Sequence, residues 1–130
     1  MADGIQGIQY ANKLGYRVVA VSSGKDKEVL AKKLGAHHYL DGSNATEAVA
    51  EIKKLGYVHQ PHHCQIFSSG AHILLATAPS AKSVEDLIPS LAVLGKVIIL
   101  AVIMEPLKLN TTHMLMGRNS VVVRRFNWRD

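Results

Sequence analysis

The chain has 130 residues, 48% hydrophobic and 19% charged, a formal net charge of +5 and a single cysteine, Cys64. This is the length of one domain able to bury a real core, and the composition excludes a disordered chain, an internal disulfide framework and any apolar run of about 18 residues that could cross a membrane. No basic-then-apolar leader precedes the first periodic segment, which together with the lone thiol gives a cytoplasmic expectation. Lys32-Lys33 and Lys53-Lys54 sit as scattered pairs on helix faces, and only Arg124, Arg125 and Arg129 cluster. Phosphate reading needs contiguous charge, so nucleic acid is not the expected partner.

Taken in order, Gln6 to Leu14 reads as a short helix stopped by Gly15. Arg17 to Val21 is β-branched and apolar on both faces, as a buried parallel strand is. Ser22-Ser23-Gly24 forms a turn, and Lys25 to Leu34 a second helix with Val29, Leu30 and Leu34 inward. His38 to Leu40 is a short strand. Ala45, Ala48, Val49, Ile52 and Leu55 repeat with helical period, and Gly56 ends that helix. His72 to Ala76 is a strand. Val84, Leu87, Ile88 and Leu91 stripe a further helix, capped by Ser80 or Ser83 and ended by Gly95. Lys96 to Val102 is a strand buried on both faces, Asn110 to Met116 a short helix, and Ser120 to Arg124 a last strand. Helices alternating with strands imply βαβ units on a parallel sheet. Tyr57 to Gly70 breaks this rhythm, far exceeding the ~2–6 residues usual for such a connection.

Gln9 to Val21 and Lys27 to Tyr39 resemble the cofactor domain of zinc-dependent, medium-chain alcohol dehydrogenases, most nearly the microbial and fungal branch related to cinnamyl alcohol dehydrogenases. Ile73 to Ser80, Gly95 to Leu100, Glu105-Pro106-Leu107 and Met116-Gly117-Arg118 continue the likeness in order. It covers roughly residues 4–56 and 71–121. It implies a three-layer, Rossmann-like α/β sandwich with about five mostly parallel strands, an alcohol/aldehyde oxidoreduction in the parent family, and a nicotinamide dinucleotide as cofactor.

Departures from the family pattern shape the functional expectation. In the family a first strand runs into a glycine-rich loop, whose backbone meets the cofactor pyrophosphate at a helix N-terminus. This chain begins inside that loop: Gly4 takes the place of its last glycine, Asp3 puts a negative charge beside the expected phosphate, and the first family strand is missing. The family's zinc ligands belong to a separate catalytic domain, and one cysteine rebuilds neither of its zinc sites, so zinc is not expected here. Residues 57–70 read as an insert and 122–130 as a divergent tail on a single truncated NAD(P)-binding domain spanning 1–130. The abrupt breaks suggest that the insert and both ends are translated sequence foreign to the family.

Ser22, Ser23 and Lys27 follow the strand after which NAD-specific relatives place an acid for the ribose hydroxyls. Hydroxyls plus an ammonium suit a 2′-phosphate, which points to NADP; a polar turn with a helix cap is the other reading. Thr77 and Ala78, and also Ala101 and Val102, stand at strand carboxyl ends. There the resemblance places the nicotinamide and its ribose, against plain strand-to-helix turns. Ala101 and Ile103 replace the family's common Gly and Pro and add bulk. His59, His62, His63 and Cys64 are soft ligands without an established spacing, and His37 and His38 read as surface or packing residues. No Tyr-x-x-x-Lys pair supports a short-chain reductase.

The cofactor-site expectation is therefore Gly4, Ser22, Ser23, Lys27, Thr77, Ala78, Ala101 and Val102, with no catalytic residue. The functional expectation is a remnant NADP-binding domain, with weakened binding and no catalysis alone. The alternative is a non-enzymatic interaction protein on a repurposed α/β scaffold. With its central strand missing, the sheet either closes to order 2-1-3-4-5 or leaves two edges open. The family's pairing through its last strand implies a homodimer near Ser120 to Arg124.

Overall fold

The computed structural model describes residues 2–56 and 69–123. The chain divides into two compact units, Met1–Ala48 and Val49–Asp130.

The first unit holds α1 (Ala2–Lys13), β1 (Val19–Ser22), α2 (Glu28–Lys33), β2 (His38–Asp41) and the opening turn of α3 (Ala45–Leu55). Helix α1 starts ahead of the expected Gln6, Ala2 being a strong helix former. Its Asn12 side chain donates to the Gly35 carbonyl at 2.7 Å, fastening α1 to the end of α2. β1 and β2 are parallel, with Val19 opposite His38 and Ser22 opposite Asp41. His37 opens this ladder: its amide donates to the Val18 carbonyl at 2.9 Å, and its Nδ1 accepts the Val18 amide at 3.0 Å. His38 Nε2 lies 3.1 Å from an Arg17 guanidinium nitrogen. Both histidines thus stitch strand ends together.

Helix α2 corrects one expectation. It has six residues, and its inward residue is Ala31, with half-buried Leu34 just past its end, rather than Val29 and Leu30, which are 65% and 49% exposed. A short helix over a two-stranded sheet has one narrow contact line, and positions three apart fill it. Among the described residues, the first unit buries only alanines: Ala31, Ala36 and Ala48.

The second unit holds the rest of α3, then β3 (Ala71–Ala76), α4 (Ala81–Leu87), a 3-10 turn (Ile88–Ser90), β4 (Leu91–Ile99), α5 (Thr111–Met116) and β5 (Ser120–Val123). Its strands form a parallel sheet in the order β3-β4-β5. Lys96 to Ile99 pairs on both sides, with Ile73 to Ala76 and with Ser120 to Val123. This doubly paired stretch is the unit's centre: Val97 is fully buried, and Ala76, Val84, Ile88, Leu91 and Ile99 pack in the same cluster. Ser80 caps α4, its Oγ accepting the Ser83 amide at 3.4 Å.

Two boundaries in this unit differ from expectation. The helical stripe stops at Leu87, and Leu91 already belongs to β4. Pro89 fits the tight 3-10 turn but cannot donate the amide a continuing α-helix requires. Downstream, β4 ends at Ile99 rather than Val102. The Leu100 amide makes the last rung to the Ala76 carbonyl at 3.0 Å, and the Ala101 amide turns onto the same carbonyl at 3.3 Å, so regular pairing stops there.

Among the described residues the strands pair in two parallel groups, β1-β2 and β3-β4-β5. No described helix is long and apolar enough to cross a membrane.

Candidate functional site

In the first unit, chemistry collects where β1 gives way to α2. Ser22 is the last residue of β1, and Ser23, Gly24 and Lys25 form an exposed turn. The Lys27 ammonium reaches back to donate to Ser22 Oγ at 3.4 Å. Strand pairing fixes Ser22, and the turn returns the chain so that a residue five positions later faces it. Two hydroxyls and an ammonium therefore share one solvent-facing corner, with no carboxylate at position 22 or 23. These are donors matched to an anion.

Sequence reasoning missed two residues at this corner, Tyr39 and Asp41. They lie two apart on β2, on one face, and opposite Ala20 and Ser22. The Tyr39 hydroxyl donates to the Gly24 carbonyl, and the Gly24 amide donates to Asp41 Oδ1 at 3.4 Å. The same oxygen accepts Ser43 Oγ at 2.7 Å and the Ser43 amide at 3.0 Å. The Ser43 hydroxyl, then its amide, hold the Asp41 carboxyl below the usual carboxylate range, with smaller help from Gly24 and the Lys25 charge. Nearby, the Glu28 carboxyl is also lowered, chiefly by its hydrogen bond and ion pair with Lys32 at 2.6 Å. The strand alternation of His38 to Asp41 signalled a shared face for Tyr39 and Asp41, but only the register shows what that face meets.

Gly4 lies in the first turn of α1, not in a loop ahead of it. In the second unit, Thr77 and Ala78 follow β3 directly, and Ala101 and Val102 come two and three residues after β4 ends at Ile99. The bonds from Leu100 and Ala101 to the Ala76 carbonyl bring these two strand ends together. Thr77 and Ala101 are half-buried, Ala78 is exposed, and Val102 is 77% exposed. At the opposite end of the same sheet lies a cleft of about 200 Å³ lined by Lys53, Ser69, Leu91, His113 and Asn119 among others. The Asn119 amide group is committed there to the Ala92 and Gly95 carbonyls, at 2.8 and 3.3 Å.

Among the described residues no group of three or more His, Cys, Asp or Glu side chains could hold a metal ion. The cluster of His59, His62, His63 and Cys64 lies outside the described residues, as do Arg124, Arg125 and Arg129.

The family described as zinc-binding dehydrogenase matches residues 4–129. Alcohol dehydrogenase patD of Aspergillus clavatus is 45% identical over 96 residues, which are 74% of this chain and 21% of that protein. Benzyl alcohol dehydrogenase from Acinetobacter calcoaceticus superposes with a TM-score of 0.75 at 20% identity, over 94% of this chain and 31% of its own. A zinc-binding dehydrogenase from Sinorhizobium meliloti, solved bound to NADP, gives a TM-score of 0.70 at 20% identity, over 92% and 33%. The structural likenesses establish the α/β fold. The chain spans about a fifth of the length of patD.

Proposed function

This chain belongs to the zinc-binding dehydrogenase family, and from that premise we propose that it is an NADP-binding domain whose first unit takes the adenosine 2′-phosphate at Ser22, Ser23 and Lys27. The observation carrying this reading is the Lys27 ammonium held against Ser22 Oγ beside an exposed Ser23. An acid at position 22 or 23 would accept ribose hydroxyls and repel a phosphate; hydroxyls and an ammonium do the reverse. Ser22 and Ser23 donate to the phosphate oxygens and Lys27 supplies the charge.

The start of α1, with Gly4, is the place for the pyrophosphate in this reading. Thr77, Ala78, Ala101 and Val102 are the positions given to the nicotinamide and its ribose. When bound, the nicotinamide supplies the hydride acceptor or donor. This chain's own residues bind and orient the dinucleotide, and none of them moves a proton. Alcohol/aldehyde oxidoreduction, with its zinc and substrate pocket, belongs in this reading to a complete dehydrogenase; the chain alone does not catalyse it. A cytoplasmic setting and a homodimer through β5 go with the same reading.

A second reading, a non-enzymatic interaction protein, is favoured by the unpaired edges of β1 and β3 among the described residues. Calorimetric titration with NADP+ separates the two. Dinucleotide binding predicts saturable micromolar affinity, with Ser23→Asp and Lys27→Ala each weakening it about tenfold, the loss of one charge-assisted contact. No heat of binding at millimolar NADP+ sinks the first reading and leaves the second.

A further inference from the structure

We propose that Tyr39 and Asp41 are positioning residues: from β2 they grip both polar groups of Gly24 and so hold the β1–α2 turn in the shape that presents Ser22, Ser23 and Lys27 to a phosphate. This rests on the binding reading above and adds how the turn acquires its geometry.

The turn has little else to hold it. Ser23, Gly24 and Lys25 are all exposed, and a side chain at Gly24 would meet nothing within 4 Å. Gly24 adopts φ +83°, a region that other residues enter only with steric strain. Glycine permits this conformation but also many others, so permission alone does not order the turn. Order comes from β2. Tyr39 gives its one hydroxyl proton to the Gly24 carbonyl, and Asp41 takes the Gly24 amide. The β1–β2 ladder sets Tyr39 opposite Ala20 and Asp41 opposite Ser22, so the grip closes on the turn just past the paired residues.

Neither grip offers a donor to an anion: the one Tyr39 hydroxyl proton is spent on the Gly24 carbonyl, and a carboxylate only accepts. Asp41 Oδ1 already accepts from the Gly24 amide, the Ser43 amide and Ser43 Oγ. An anion would not bind a carboxylate in any case. The two residues therefore act through the turn. Holding an exposed turn in its bound shape removes an ordering cost that a loose turn would meet on binding.

The test uses the whole chain, with 2′,5′-ADP and 5′-AMP as probes in calorimetry. Tyr39→Phe deletes only the hydroxyl. It raises the Kd for 2′,5′-ADP about three- to tenfold, the span of one lost hydrogen bond, and leaves that for 5′-AMP unchanged. Asp41→Ala acts in the same direction and speeds hydrogen exchange at the Gly24 amide. Asp41→Asn, which keeps an accepting oxygen, restores both. If the unaltered chain binds 2′,5′-ADP and Tyr39→Phe and Asp41→Ala bind it equally well, the positioning role is overturned while the binding reading stands. A loss shared equally by the two probes assigns the residues to general stability and overturns the role too. Failure of the unaltered chain to bind 2′,5′-ADP at millimolar concentration overturns the binding reading, and the inference with it.

Discussion

Leu94 is a residue out of keeping with its backbone. It adopts φ +64°, where a Cβ crowds the following carbonyl, and its side chain is 63% exposed. The conformation is imposed: the Leu94 amide donates to the Gly117 carbonyl at 2.8 Å, in the stretch where β4 departs from regular pairing. Little packing compensates for the strain, so Leu94→Asn should raise stability by about 1 kcal/mol in urea denaturation. Asp41 is the counterpart on the polar side. Its folded pKa is depressed, so its contribution is complete above the unfolded value, about 3.9, and fades as pH falls through the lower folded value. Carboxyl chemical shifts against pH should show Asp41 titrating below an ordinary aspartate, and Ser43→Ala should raise its midpoint. An unshifted Asp41 in the unaltered chain would mean that the Gly24 and Ser43 contacts are not made in solution. The sequence offered Ser22, Ser23 and Lys27 directly, as residue types at a strand end. It could not offer Tyr39, because a tyrosine in a strand reads as packing until the register places its hydroxyl over Gly24.

At the scale of elements, the junction of α3 with β3 brings residues 56 and 70 together. Gly56 ends α3, and a Cβ added there would lie 2.4 Å from the Gly70 carbonyl oxygen. A Cβ on Gly70 would in turn come within 2.5 Å of the Ser90 carbonyl oxygen. Residues 56 and 70 thus meet at one point, between backbones that only glycines let approach. Two expectations follow. Gly56→Ala should destabilise the chain by about 2 kcal/mol or more, because backbone rather than a flexible side chain must move. Deleting residues 57–68 should leave the thermal midpoint unchanged or higher, since it joins ends already close and removes loop-closure entropy. A midpoint well below that of the unaltered chain would show that the segment contributes packing of its own. Strand and helix identities were legible from periodicity, and α3 matches its apolar repeat closely. The boundaries of β4 were not legible: Pro89 and the turn of Ala101 onto Ala76 end neighbouring elements through backbone geometry that carries no periodic signal.

For the whole molecule, the parallel βαβ pattern in the sequence was enough to read an α/β fold, and the fold is found. Which strands pair within each unit was open beforehand: a ladder depends on free energies of packing across many residues, not on the character of any one strand. With only alanines buried among the described residues of the first unit, that unit has little apolar burial to stabilise it, and its order leans on hydrogen bonds such as those of Asn12, His37 and Tyr39. Ligand at the β1–α2 turn should therefore stabilise the unit by mass action. The central claim is that this chain binds NADP through that turn. Titrating the unaltered chain with NADP+ while following each backbone amide by NMR tests it most directly. Saturable shifts are expected at Ser22, Ser23, Gly24 and Lys27, larger with NADP+ than with NAD+; amides that stay still at millimolar NADP+, or shifts confined to residues away from the turn, would rule out NADP binding there.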